Sequence, residues 1–107
     1  MDNRSFNLLN MRLSEIANLI GLPFIGNDVF VDGLNLVNRE IQSSSVLSYC
    51  TSTKYIKQAF TNPKVKALII NSTIYNTLSE DEKKHCSFII NDTPEYTFYS
   101  LFIELSK

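Results

Sequence analysis

The segment KALII, Lys66 to Ile70, constrains the fold more than any other stretch of this chain. It is a β-rich apolar run with the length of a strand, and it offers no polar alternation that would let one face meet water. Such a run is read as a strand buried on both faces, which needs covering layers above and below. A second short run, SFII from Ser87 to Ile90, has the same character, and VLSY, Val46 to Tyr49, reads as a third strand. Between and around them lie helical patterns. Leu13, Ile16, Ala17 and Ile20 follow i, i+3, i+4, i+7 spacing, with Ser14 as the expected cap, Glu15 in the first turn and Gly21 as the stop. TSTKYIKQAF predicts a helix capped by Ser52 or Thr53, with Tyr55, Ala59 and Phe60 on one face. Asn62-Pro63 ends that helix. The clearest helix starts with Thr93 as cap, Pro94 at the first position and Glu95 in the first turn. Its stripe is Phe98, Leu101, Phe102 and Leu105.

Elsewhere, DVFVDGLNLV alternates, with Val29 and Val31 facing one way and Phe30 and Asp32 the other. This predicts a strand that breaks or bulges at Gly33 and resumes through Leu36. Ser43 to Ser45 predicts a turn, and the polar stretch from Ile74 to Cys86 a surface helix or loop. Strands alternating with helices give the expected fold class, an α/β domain with a small mixed sheet and flanking helices. At 107 residues the chain is expected to form a single domain. The last stripe ends two residues before the terminus, which suggests a domain cut from a longer protein.

Charge narrows the partners. Ten basic residues face eleven acidic ones, for a net charge of −1, so the basic field that a phosphate backbone requires is missing. No nucleic-acid partner is expected. The longest purely apolar run is four residues, ALII, against the roughly 20 needed to span a bilayer. No signal peptide is legible at the N-terminus, and a cytoplasmic, soluble protein without a membrane span is expected. Cys50 and Cys86 lack CxxC spacing and read as reduced thiols. With the single His85 they supply too few ligands for zinc, so no metal site and no cofactor are expected. His85 sits among solvated charges, and no nucleophile, phosphate-loop or metalloprotease motif occurs. No catalytic residue is assigned.

One stretch retains binding chemistry. In VLSYCTSTKYIKQAF, Tyr49 ends a strand and Tyr55 opens the following helix, six residues on. Two such rings can pack in the core, or can face each other across a gap wide enough for a planar ring. In the second case Thr51 and Ser52 would supply groups to the ring's edge.

Four segments carry a resemblance: LSEIANLIG, VDGLNLVNREIQSSSVLSYCTSTKYIKQA, VKALIIN and CSFIINDTPEYTFYSLFIEL. In order and spacing, over residues 12 to 106, they resemble the N-terminal domain of the UDP-3-O-acylglucosamine N-acyltransferases of lipid A (lipopolysaccharide) synthesis in bacteria. The resemblance implies a uridine-recognition module related to the first domain of muramyl ligases. It implies that Tyr49 and Tyr55 sandwich the base of a UDP-linked amino sugar, with Ser52 at the edge-reading position, and Lys54 and Thr51 beside it. That position is asparagine in the family, and the Gly-Asp before the strand is Ser45-Val46 here, so uracil and thymine both stay open. The family's catalytic histidine and most of its trimer contacts lie in a hexapeptide-repeat β-helix, and no such repeat occurs in these residues. The implied role is thus non-catalytic substrate binding. The alternative is a repurposed protein–protein interaction domain, with the two tyrosines packed together and no nucleotide slot.

Overall fold

A computed structural model of the chain describes residues 10–34 and 45–105. Its elements, in chain order, are β1 (Met11–Arg12), α1 (Leu13–Ile20), β2 (Phe24–Ile25), β3 (Phe30–Val31), β4 (Gly33–Leu34), β5 (Val46–Tyr49), α2 (Thr53–Phe60), β6 (Val65–Ile70), α3 (Ser72–Asn76), a 3-10 turn (Glu82–Lys84), β7 (Ser87–Ile90) and α4 (Pro94–Leu105). The main sheet has five strands in the order β2-β7-β6-β5-β4. β4 through β7 run parallel, and β2 lies antiparallel on the β7 edge. β1 and β3 form a separate two-stranded antiparallel ribbon. This is the small mixed α/β sheet with flanking helices that the sequence predicts.

The β6 run explains the layering. Apart from exposed Lys66 it is buried throughout, because its alternate side chains enter two different cores. Ala67 and Ile69 join Leu47, Ile89 and the apolar faces of α1 and α4: Leu13, Ile16, Ala17, Phe98 and Leu101. Leu68 and Ile70 join Val46, Phe88 and the covering residues Ile56 and Ala59 of α2, with Ile74 and Leu78. β5, β6 and β7 step across the sheet in one direction. Right-handed crossovers therefore place α2 and α3 on the same face. After β7 the chain turns back over the strand ends, and α4 covers the opposite face.

The local details depart from the sequence expectations at four places. Ser14 does not cap α1 but lies inside it as the second residue. Its N–H and hydroxyl donate to Asp28 at 2.8 and 2.7 Å, while the Glu15 carboxylate accepts the Arg12 N–H at 2.8 Å. The buried face of α2 is Ile56 and Ala59; Tyr55 points away from the core. The strand after Val29 is interrupted at Asp32 rather than broken at Gly33, and Gly33 opens β4 in the main sheet. The hydroxyl of Thr93 bonds Asn91 Oδ1 rather than a helix N–H. Gly21 does close α1 in the left-handed region, at φ 71°. The predicted turn at Ser43 and Ser44 and the strand extension to Leu36 fall outside the described residues.

Candidate functional site

Turning α4 back over the sheet leaves a crevice at the carboxyl ends of the parallel strands. This is where ligands bind in open α/β sheets. The strand ends are fixed to one another there: Cys50 N–H donates to Ile69 O at 3.1 Å and Asn91 N–H to Ile70 O at 2.9 Å. Two asparagines hold the turns that follow. Asn71 Oδ1 accepts the Ile74 N–H at 2.8 Å, capping α3. Asn91 Oδ1 accepts from Thr93 N–H at 2.9 Å and from the Thr93 and Thr97 hydroxyls at 3.1 and 2.6 Å.

The crevice is an open cleft of about 590 Å³. Its floor comes from Thr51 after β5, Asn71 after β6, and Asp92 and Thr93 after β7. The first turns of α4 supply the wall: Pro94, Glu95, Tyr96 and Tyr99. Two carboxylates and two tyrosine rings thus meet without a basic residue among the lining side chains.

Tyr49 abuts this wall from the sheet side. Its half-buried ring lies 4.9 Å from that of Phe98 and 6.0 Å from that of Tyr99, the latter edge-on. Its hydroxyl stands beside those of Tyr99 and the Glu95 carboxylate. Burial first, then these two neighbours, push the Tyr49 phenol up to about 12, so it remains a protonated donor through the physiological range.

Of the other residues singled out in the sequence, Thr51 and Ser52 lie in the β5–α2 turn, and Lys54 and Tyr55 in the first turn of α2. Thr51 is exposed and lines the cleft. Ser52 occupies the cap position of α2, but its side chain makes no capping bond, and its Oγ is buried without a hydrogen-bond partner. Tyr55, 38% exposed, stands in the first turn of α2, with the Lys54 ammonium 5.7 Å from its ring centroid. The ring contacts of Tyr49 run to Phe98 and Tyr99, and none runs to Tyr55.

Sequence reasoning missed Asn71, Asp92, Glu95, Tyr96 and Tyr99 as site residues. A signal was present: Ile-Ile-Asn ends both β6 and β7. That repetition marks two strands stopping at one edge, with polar groups there to satisfy the turns.

The remaining chemistry-bearing side chains lie elsewhere. His85 is exposed and stacks on Phe60 at 4.9 Å, beside a second depression of about 310 Å³ that Asn62 and Lys66 also line. Cys50 and Cys86 are free thiols, and burial pushes each up to about 12, leaving little reactive thiolate. Among the described residues no three His, Cys, Asp or Glu side chains stand together as a metal site, and no helix is long and apolar enough to cross a membrane.

The UDP-3-O-acylglucosamine N-acyltransferase of Campylobacter lari is similar to this chain. It is 32% identical over 88 residues, or 82% of the chain. The chain spans only 25% of that enzyme's length. No family model and no solved structure matches it.

Proposed function

We propose that this chain is the nucleotide-sugar recognition domain of a UDP-3-O-acylglucosamine N-acyltransferase-like protein. It binds the pyrimidine base of a UDP-linked amino sugar and is itself non-catalytic. The observation that carries the reading is the likeness to the Campylobacter lari enzyme over most of this chain. The layout of the β5–α2 unit supports it. Tyr49 ends the strand, Tyr55 stands exposed in the first turn of the helix, and the two rings leave each other uncovered. A base enters between them, the Thr51-Ser52 turn lies at its edge, and Lys54 beside Tyr55 meets the phosphates. In this reading acyl transfer belongs to a hexapeptide-repeat catalytic domain, trimeric in that setting, and the protein works in the cytoplasm. A base stack binds ground state and transition state alike, so it would lower KM more than it raises kcat.

The test is an NMR titration of the chain with UDP, UMP, TMP and AMP. Pyrimidine nucleotides should shift amides around Tyr49, Ser52 and Tyr55, and AMP should not. Stacking of one base on an aromatic ring contributes about 1–3 kcal/mol, so Tyr55→Ala should weaken UMP binding by roughly 5- to 150-fold. Tyr55 is partly exposed, so the substitution should leave the fold intact. The absence of any shift at millimolar nucleotide would sink the proposal. Unchanged affinity in Tyr55→Ala would remove Tyr55 from the clamp.

A further inference from the structure

The residue expected to read the base edge is poorly placed to do so. The Oγ of Ser52 has no accessible surface, so a ligand cannot touch it as the side chain stands. Edge recognition must come from groups that are open to the cleft and near the tip of Tyr49. Two meet both conditions. Glu95 and Tyr99 line the cleft together with Thr51, and both stand beside the Tyr49 hydroxyl. The Tyr99 ring is anchored edge-on to Phe98 at 5.4 Å and to Tyr49 at 6.0 Å, so its hydroxyl is presented from a packed base rather than a loose side chain.

We propose that Glu95 is the specificity-determining residue for the base, accepting the N3–H of uracil or thymine, with the Tyr99 hydroxyl donating to a flanking carbonyl. This inference rests on the base-clamp reading above. The chemistry follows from the donor pattern of the edge. Uracil and thymine present acceptor, donor, acceptor; cytosine presents a bare nitrogen lone pair where they present N3–H. A carboxylate is an acceptor only, with about four lone-pair positions across its two oxygens. It therefore keeps capacity for N3–H beside the Tyr49 hydroxyl, and it repels the cytosine lone pair. The Tyr49 hydroxyl beside it stays protonated and so presents a donor to the carboxylate rather than a competing charge. Asp92 and Glu95 together disfavour phosphate in the cleft, so the nucleotide enters base first, with its phosphates directed away toward the Lys54 side.

The experiment compares dissociation constants for UMP, CMP and 3-methyluridine monophosphate, by the same NMR titration, in the wild-type chain, Glu95→Gln and Tyr99→Phe. The wild type should prefer UMP over both CMP and the N3-methylated ligand by about tenfold or more, the scale of a charge-assisted hydrogen bond. In Glu95→Gln the amide can offer N–H to cytosine N3, and the UMP/CMP ratio should fall to about threefold or less. Tyr99→Phe should weaken UMP and 3-methyluridine monophosphate alike, because it removes a donor to a carbonyl that both possess. If UMP binds the wild type and Glu95→Gln with the same UMP/CMP ratio, the role of Glu95 is wrong and the clamp stands. If the wild type binds no pyrimidine nucleotide, the clamp and this inference fall together. The N3-methylated ligand probes the contact without altering the protein, so a fold defect in a variant cannot mimic the result.

Discussion

Replacing Ser48 by alanine should stabilise the protein. Ser48 is the third residue of β5, fully buried, and its Oγ has no hydrogen-bond partner. It lies on the face of the sheet that carries Val46 and Cys50, paired in register with Leu68 of β6, within the core that α2 and α3 cover. A hydroxyl buried without a partner costs about 1–3 kcal/mol by mutational measure. Against that, deleting one oxygen forfeits a few van der Waals contacts at about 0.1–0.2 kcal/mol each. The difference favours Ser48→Ala by about 0.5–2 kcal/mol. For a domain of this size that is an increase in Tm of roughly 2–8 °C. Urea unfolding followed by circular dichroism should show a higher midpoint at unchanged slope, which separates a stability gain from a change in the denatured state. A loss of 0.5 kcal/mol or more, by the same ~1 kcal/mol scale, would refute the reasoning, since it would require the hydroxyl to hold a bond in solution.

Two further substitutions test the frame around the site. Gly26 sits at φ 103°, and a Cβ there would meet Ser87 Oγ at 2.9 Å and Ser87 Cα at 3.2 Å, in a serine that donates to Asn27 O at 2.6 Å. Gly26→Ala should therefore cost about 1–3 kcal/mol in urea unfolding; an unchanged midpoint would show that the turn has another backbone conformation open to it. Asp28 takes both Ser14 bonds, first the hydroxyl and then the N–H, and these hold its carboxyl below the ordinary aspartate range. A depressed folded-state value contributes stability above the unfolded value, near 4, and loses it as pH falls through the folded one. The stability difference between wild type and Asp28→Asn should thus be constant near neutrality and shrink below about pH 4. A difference that stays flat to pH 2, well below the ~3.9 of an unperturbed aspartate, would show that the Ser14 bonds do not depend on the charge.

β5, β6 and β7 were legible because each is a compact β-branched or apolar run bounded by polar turns, and α1 and α4 because their apolar stripes are the faces they bury. β1 and β2 were not. A two-residue strand has no period of its own and exists only through its partner, Val31 and Phe30 for β1 and Ile89 and Phe88 for β2. The buried face of α2 was misplaced by one residue, from Tyr55 to Ile56. Both positions stand at helical spacing from Ala59, so the 100° between them is decided by which side chain the sheet can accept. The smaller Ile56 enters the packed layer with Leu68 and Phe88, and the tyrosine is left at the rim. The cleft was harder still, since Thr51, Asn71 and Glu95 come from three segments that only the strand order brings to one edge.

That strand order also bears on why a clamp would be built from these two tyrosines. Tyr49 packs on the face that α1 and α4 cover, whereas Tyr55 rides on α2, which covers the other face. A ring touching both must lie across the end of β5, over the Cys50–Ser52 turn, rather than within either core. Such a site would draw its first wall from Phe98 and Tyr99 behind Tyr49, and its second from a helix whose own burial, through Ile56 and Ala59, leaves Tyr55 partly exposed at the rim. Affinity should therefore depend on Tyr55 more than stability does, while changes at Phe98 should affect both. One edge would carry both roles because α4 crosses it to close the core and brings Glu95 and Tyr99 along in its first two turns.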